Sequence, residues 1–476
     1  MGFLRFEAGV QEIFAVQVLR GLRLPEVLEW HDERLAHSYV LPDAALKEVA
    51  LPTAEQVARS PAFHFQRGLD LYGKGQLEEA IAAFRQCAVL QPEFPHARYN
   101  LGVALGDAEQ YVEAMDHLQH VVAAEPERAE AYNSLGYLLS RQRQPQKAIT
   151  YYERALELQP EYAQAHFNLG MTLLRLGDYP RGFTEYDWRW QTGQFTPFQC
   201  PHPQWDGRPL PNHTLLIHTE QGAGDAIQFA RYLPSAAQRC KKLILVCRAD
   251  LLPLFATLPG IAQIREAGSI KVSNSDTYLP LLSLPRVFGT TLDTIPAEIP
   301  YIDVQAIRRR KINASSSLSL SLSSAPKVGL VWAGSPTYKN DHHRSCPVQE
   351  FAPVLRTPGI EFYSLQKGPQ RQELAQLLTD LHVQDLDSRL QDYGDTALII
   401  DQLDLVITVD TSVAHLADAL GKPVWTLLPY VPDWRWMLVG ETTPWYSTMR
   451  LFRQTRPGEW MEVLERAAQA LAAWRK

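Results

Sequence analysis

The run Leu405-Val406-Ile407-Thr408-Val409 is apolar and β-branched almost throughout, the pattern of a strand buried on both faces of a parallel sheet. Asp410-Thr411-Ser412 follows, three residues that can each cap a helix, and then Val413, Leu416, Ala417 and Leu420 fall at helical spacing. Gly421 and Pro423 stop that helix, and Val424-Trp425-Thr426-Leu427-Leu428 resumes as a strand. Because such crossovers are right-handed, the Asp410 turn is expected at the carboxyl edge of the sheet, where ligands bind. The first backbone N–H groups of the helix point out there and suit an anion such as a diphosphate, with the Thr411 and Ser412 hydroxyls as further donors. A capped structural helix is the alternative. The same strand-turn-helix pattern opens at Leu215-Leu216-Ile217-His218, with Gln221-Gly222-Ala223-Gly224-Asp225 as its turn. Further strands are expected at 243–247, at Val328-Gly329-Leu330-Val331-Trp332 and at Phe362-Tyr363-Ser364-Leu365. Two α/β halves, 197–312 and 326–476, are therefore expected to face a cleft, joined by a Ser/Leu/Ala-rich linker over 313–325 with no packing logic.

Upstream the chain repeats. Gly68, Gly102, Gly136 and Gly170 are each 34 residues apart, as are Pro92, Pro126 and Pro160. Ala80, Ala114 and Ala148 sit twelve residues after the first three glycines, and Phe84, Leu118 and Tyr152 four later. Small and large positions recurring in register at this period mark tetratricopeptide helix pairs, an all-α solenoid over 61–196. The fourth unit departs, carrying Gly182 at the small position and the aromatic run Phe183, Tyr186, Trp188 and Trp190, which reads as a cap docking on the next domain, with a ligand platform as the alternative. Residues 1–60 hold helical fragments broken by Pro25, Pro42 and Pro52 and suggest no chemistry.

Composition narrows the function without choosing it. A chain of 476 residues suggests about three domains. A net charge of -7 argues against a nucleic-acid surface, and the short basic run Arg308 to Lys311 reads as a solvated linker end. The five cysteines lack zinc or disulfide spacing and suit a reducing cytoplasm. No stretch is long and apolar enough to be transmembrane, and Arg5, Glu7 and Glu12 spoil a signal peptide. Gly222-Ala223-Gly224 lacks the third glycine of a dinucleotide fingerprint, since Ile227 stands there, and Asp385-Leu386-Asp387 has no matching cluster for a metal.

Several blocks together resemble bacterial tetratricopeptide-repeat glycosyltransferases: Glu220 through Asp225 with Phe229-Ala230-Arg231-Tyr232, Val331-Trp332-Ala333-Gly334, Lys339-Asn340-Asp341, Arg344-Ser345, Ser364-Leu365-Gln366-Lys367-Gly368, Asp410 through Ala417 and Pro432-Asp433-Trp434-Arg435-Trp436. The catalytic half is similar to that of ADP-heptose lipopolysaccharide heptosyltransferases, and the architecture resembles O-GlcNAc transferase. Asp418, where relatives usually carry glycine, and Ala223, where they carry leucine, are departures. The resemblance implies a GT-B fold of two Rossmann-like domains, a nucleotide-sugar donor mainly on the C-terminal one, no cofactor or metal, an inverting reaction, and a protein or glycan acceptor brought by the repeats.

Carried over by residue, it places Thr411 and Ser412 at the donor diphosphate with Lys367, and Gln366 on the nucleotide side. Asp410 caps the helix or accepts from sugar hydroxyls. Arg344 meets phosphate or a neighbouring carboxylate, and His415 lines the cleft or packs on the sheet. Gln221, Gly222, Gly224, Asn340 and Trp434 belong to cleft loops, Trp434 stacking on a ligand or filling core. Asp225 is placed as the catalytic base, although a carboxylate at a helix start has an obvious capping role, and His415 is the second catalytic candidate. A non-catalytic adaptor with a degenerate transferase half is the competing reading.

Overall fold

In the computed structural model, residues 60–268, 276–311, 318–338, 340–377 and 381–474 are described, together with the two-residue strand backbones 2–3 and 39–40, which pair in parallel. The expected helical fragments of 1–60 and the position of Lys339 lie outside the described residues. The chain divides into two compact units, Met1–Gln142 with Thr150–Pro160, and Arg143–Ile149 with Glu161–Lys476.

Helices α1 (Pro61–Gly73), α2 (Leu77–Leu90), α3 (Pro95–Asp107), α4 (Tyr111–Ala124), α5 (Ala129–Arg141) and α6 (Pro145–Leu158) are the first three repeats. The 34-residue signature has a direct steric cause. A Cβ built on Gly68 would lie 2.5 Å from the Phe84 ring, one on Gly102 2.8 Å from Leu118, and one on Gly136 2.7 Å from Tyr152. In each pair the glycine is the hole that the large residue of the facing helix fills.

The fourth repeat, α7 (Ala163–Leu176) and α8 (Tyr179–Tyr186), belongs to the second unit. Its Tyr179, Phe183 and Tyr186 are buried with Phe229, Trp434 and Trp445 in one aromatic core, with Phe183 and Trp434 edge to face at 5.6 Å. These three rings are core, while Trp188 stacks on His166 at 4.0 Å.

The N-terminal half holds β1 (Leu210–His218), α9 (Ala223–Phe229), β2 (Cys240–Cys247), β3 (Ile261–Glu266) and β4 (Thr277–Pro280), a parallel sheet of order β3-β2-β1-β4. The C-terminal half holds β5 (Lys327–Val331), β6 (Glu361–Ser364), β7 (Gln384–Asp385), α10 (Tyr393–Ile400), β8 (Leu405–Val409), α11 (Ser412–Ala419), β9 (Val424–Leu428), β10 (Met449–Arg453) and α12 (Trp460–Ala473). Its six parallel strands run β10-β9-β8-β5-β6-β7, a doubly wound order that reverses direction between β5 and β8. The fold is thus a tetratricopeptide solenoid followed by two Rossmann-like α/β halves.

Two expectations need correction. Within 313–325, Leu318 and Leu320 are buried and Gln402 brackets them, accepting from Leu320 N at 3.0 Å and donating to Leu318 O at 2.9 Å. Alternate leucines pack while Leu322 stays in solvent, so 318–325 is not an unpacked linker. The basic run before it is paired too, Arg308 with Asp401 at 2.8 Å and Lys311 with Asp392 and Asp395 at 2.6 Å.

Candidate functional site

The site forms where the two sheets reverse strand order. In the C-terminal half, Thr408 pairs with Val331, so Asp410 and the Trp332–Gly334 stretch leave adjacent strand ends. Every residue of β8 is buried, which fixes where Asp410 emerges. Thr411 is the N-cap of α11, with extended backbone (φ -139°) and no side-chain bond to the helix. Its hydroxyl instead meets the Thr408 hydroxyl at 2.9 Å, and the Ser412 hydroxyl meets Tyr393 at 2.7 Å. Both hydroxyls expected as anion donors therefore have protein partners, and the helix start offers its backbone N–H groups.

Charged groups surround Asp410. Burial, and then the Asp433 carboxylate, push its pKa up to about 6, against the Arg344 charge, the Trp436 indole and the Arg435 charge. Arg344 donates to Asp341 at 2.9 Å and lies over the Tyr338 ring at 4.7 Å. Asn340 is the residue before that short helical turn, Asp341–Arg344. Gln366 is buried, and its amide accepts from Trp332 N and Ala333 N at 3.1 and 2.9 Å while donating to Ala333 O and Lys367 O at 3.0 and 2.8 Å. Its four bonds fix the strand ends, so the nucleotide-side role implied for it falls to a residue already committed to backbone. Lys367 is exposed and its ammonium binds Asp387 Oδ1 at 2.8 Å and the Asp387 and Leu390 carbonyls at 3.0 and 2.9 Å. These partners all lie in 387–390, and none is on the α11 turn. Asp385 and Asp387, the D-x-D pair, are both bound by Arg371.

In the N-terminal half His218 pairs with Pro280, so Glu220 leaves beside Leu281. The Glu220 carboxylate takes the Leu281 and Leu282 N–H groups, each at 3.0 Å, and buried Arg189 at 3.1 Å. Burial pushes it up to about 7 despite Arg189. Gln221 sits in the left-handed region (φ 61°), held by paired bonds to the Tyr186 hydroxyl at 2.8 and 3.1 Å, so the turn carries backbone strain of a kind concentrated at functional sites. Gly222 is the N-cap of α9, and its N–H donates to Asp225 Oδ2 at 2.8 Å. Asp225 Oδ1 accepts from Arg435, which comes from the other half.

The helix starts meet at Gly224. A Cβ there would lie 2.8 Å from the His415 ring and 3.4 Å from the Ser412 Cα, so only glycine allows this approach. His415 is buried, its Nδ1 bonded to the Tyr446 hydroxyl at 2.6 Å and its ring against Trp436 at 5.3 Å. Burial first, then the Arg435, Arg231 and Arg344 charges, hold its pKa far below the usual value, so the imidazole is neutral. His218 is likewise neutral, pushed down to about 4 by burial under Phe198 at 4.2 Å.

Of the two readings for Trp434, stacking on a ligand in a cleft loop or filling core, the structure shows the second: it is 1% exposed and enclosed by Tyr179, Phe183, Phe229 and Trp445. Asp418 is fully buried and accepts from Thr448 N at 3.0 Å, a tie between α11 and the β10 approach. Arg435, Tyr393 and Tyr446 carry no motif of their own that marks them for the site, although Arg435 stands inside the Asp433-to-Trp436 block. A lone arginine between two tryptophans was the available signal.

Parallel sheets with apposed helix starts at their switch points define a Rossmann-like α/β protein. Residues 68–108 and 133–187 match tetratricopeptide-repeat families, and residues 370–457 match glycosyltransferase family 9 (heptosyltransferase). Protein FlbA of Caulobacter vibrioides is 29% identical over 318 residues, 62% of this chain and 53% of that protein. The chain spans about half the length of that curated relative. Among solved structures, a MamA fragment from Desulfovibrio magneticus RS-1 is 30% identical over 28% of this chain and 76% of its own, with a TM-score of 0.26. YrrB, described as a TPR protein with an unusual peptide-binding site, is 25% identical over 29% and 71%, with a TM-score of 0.25. The chain thus carries tetratricopeptide repeats and a region of the heptosyltransferase type. Among the described residues no helix is long and apolar enough to cross a membrane.

Proposed function

We propose that this protein is a glycosyltransferase of the GT-B kind, cytoplasmic, metal-independent and inverting, which moves a sugar from a nucleotide-sugar to a protein or glycan acceptor brought by the repeats. The observation that supports it most is the apposition at Gly224, which sets the N-terminus of α11 opposite the Asp225 turn. An anion-binding helix start and a carboxylate thus stand on adjoining turns of the two halves, the pair of groups a sugar transfer to a hydroxyl needs. The donor diphosphate sits on the α11 N–H groups with Arg344 beside it, and Asp225 takes the acceptor proton. Lys367 reaches the phosphates by leaving Asp387, a swing open to an exposed ammonium.

The adaptor reading draws on one observation, that Asp225 and Lys367 are both tied in ion pairs. Thermal shift with UDP, GDP, ADP and their sugars, in chelator, separates the two. Selective stabilisation by one base is expected; stabilisation by none, or only with added metal, removes the metal-free donor site.

A further inference from the structure

One guanidinium joins the two turns. Arg435 follows β9, yet its Nε donates to Gln228 Oε1 and its Nη2 to Asp225 Oδ1, both on α9, while its Nη1 donates to Asp433 at 2.7 Å. It lies over Trp434 at 4.6 Å and within 5.7 Å of Phe229, and is only 7% exposed. Burial works against its charge, but Asp433 and Asp225 outweigh that and raise its pKa. The charge is also felt at Asp410 and His415, where α11 begins. Asp225 is thus held on both oxygens, by Arg435 and by the Gly222 N–H.

We propose that Arg435 is a latch between donor and base: without donor it occupies Asp225, and a diphosphate arriving at the start of α11 draws the guanidinium away and frees Asp225 Oδ1 for the acceptor hydroxyl. This rests on the donor reading above. A diphosphate carries more charge than a carboxylate and offers the guanidinium fork several oxygens, so it competes well for Arg435. In the transfer, the acceptor hydroxyl proton passes to Asp225 Oδ1 and the hydroxyl oxygen bonds to the anomeric carbon. The bond from that carbon to the diphosphate breaks, its electron pair remaining on the diphosphate oxygen, where Arg435 meets the growing charge. Arg435 thus holds Asp225 without donor and contacts the diphosphate with it, and donor must bind before an acceptor can be deprotonated.

Competition for one cation has an unusual signature. Apparent donor affinity is reduced by the fraction of molecules with the latch closed, so removing the Asp225 charge should tighten binding, about tenfold if the latch is closed about nine-tenths of the time. The test is isothermal titration of the full chain with ADP, GDP and UDP, comparing wild type, Asp225→Asn, Arg435→Gln and the double variant. Asparagine still caps a helix; should that variant misfold, Asp225→Ser also caps and also removes the charge. Tighter binding by Asp225→Asn that vanishes in the Arg435→Gln background is expected. Unchanged or weaker binding by a folded Asp225→Asn, or a gain that persists without Arg435 and so reflects only lost negative charge, overturns the latch while leaving the donor site standing. Binding of none of the three diphosphates by wild type and by Asp225→Asn overturns both. Binding by Asp225→Asn alone supports the latch at its strongest.

Discussion

Asp410→Asn should remove a pH dependence of donor binding. Burial and the Asp433 carboxylate place Asp410 at about 6 against an ordinary 3.8, so it titrates inside the working range. A diphosphate at the start of α11 adds negative charge beside it, so the donor-bound protein holds that proton more tightly and binding takes up a proton where Asp410 is ionised. Affinity is then full below about 6 and falls as pH rises through the window above it, by up to about tenfold per pH unit for one linked proton. Folding shares the sign. Because the folded value lies above the unfolded one, the folded state binds more protons between 3.8 and about 6, and stability is lost as pH rises through that window, by roughly 3 kcal/mol. Asparagine keeps the shape of the side chain and removes both effects. The assay is titration calorimetry from about pH 5.5 to 8 with a nucleotide-sugar, because the terminal phosphate of a free diphosphate titrates near 6 itself. Equal pH slopes for wild type and Asp410→Asn would refute the placement of the diphosphate beside Asp410.

Two packing predictions separate core from site. Trp434→Ala should cost about 3 to 5 kcal/mol in chemical denaturation, because a buried ring with four aromatic neighbours leaves a cavity. A ligand-stacking Trp434 would instead lower donor affinity at nearly unchanged stability. Gly170→Ala should lower the melting temperature: its Cβ would stand 2.6 Å from the Tyr186 N and 2.9 Å from the Glu185 C, backbone atoms that cannot turn aside. The overpacking cost of about 1 to 3 kcal/mol exceeds the roughly 0.5 to 1 that alanine gains in a helix, and an unchanged or raised melting temperature would show that α7 and α8 separate freely.

The repeats were legible because a glycine and its partner lie a fixed distance apart in sequence. Gly68 and Phe84, Gly102 and Leu118, and Gly136 and Tyr152 are each one helix pair, so the period of the contact is the period of the chain. The Asp410 turn was legible for a similar reason: strand, cap and helix are consecutive, and the parallel sheet does the rest. The Leu318 and Leu320 packing was missed because serine-rich composition hid a two-residue alternation that needed Gln402, more than 80 residues away, to hold it.

The hydroxyl partners were hidden for a more general reason. Thr411 and Ser412 read from sequence as donors, but a buried hydroxyl such as Thr411 needs a partner, which Thr408 supplies, and Tyr393 meets half-buried Ser412. Backbone N–H groups at a helix start cannot be satisfied within the helix, so the anion-binding capacity of the turn lies in the backbone and in whatever cations the fold brings near. Arg435 is the cation so brought, 210 residues from the Asp225 it binds. No spacing rule reaches that far. What sequence does show is its cost: an arginine between two buried tryptophans must find carboxylates, because an uncompensated buried charge is strongly destabilising. Two carboxylates bind it, Asp433 on its own segment and Asp225 on the opposing helix, and its charge is felt at Asp410, just before α11. A guanidinium divided between two carboxylates is shared rather than owned, and that sharing is the physical basis for expecting an incoming diphosphate to change which carboxylate goes free.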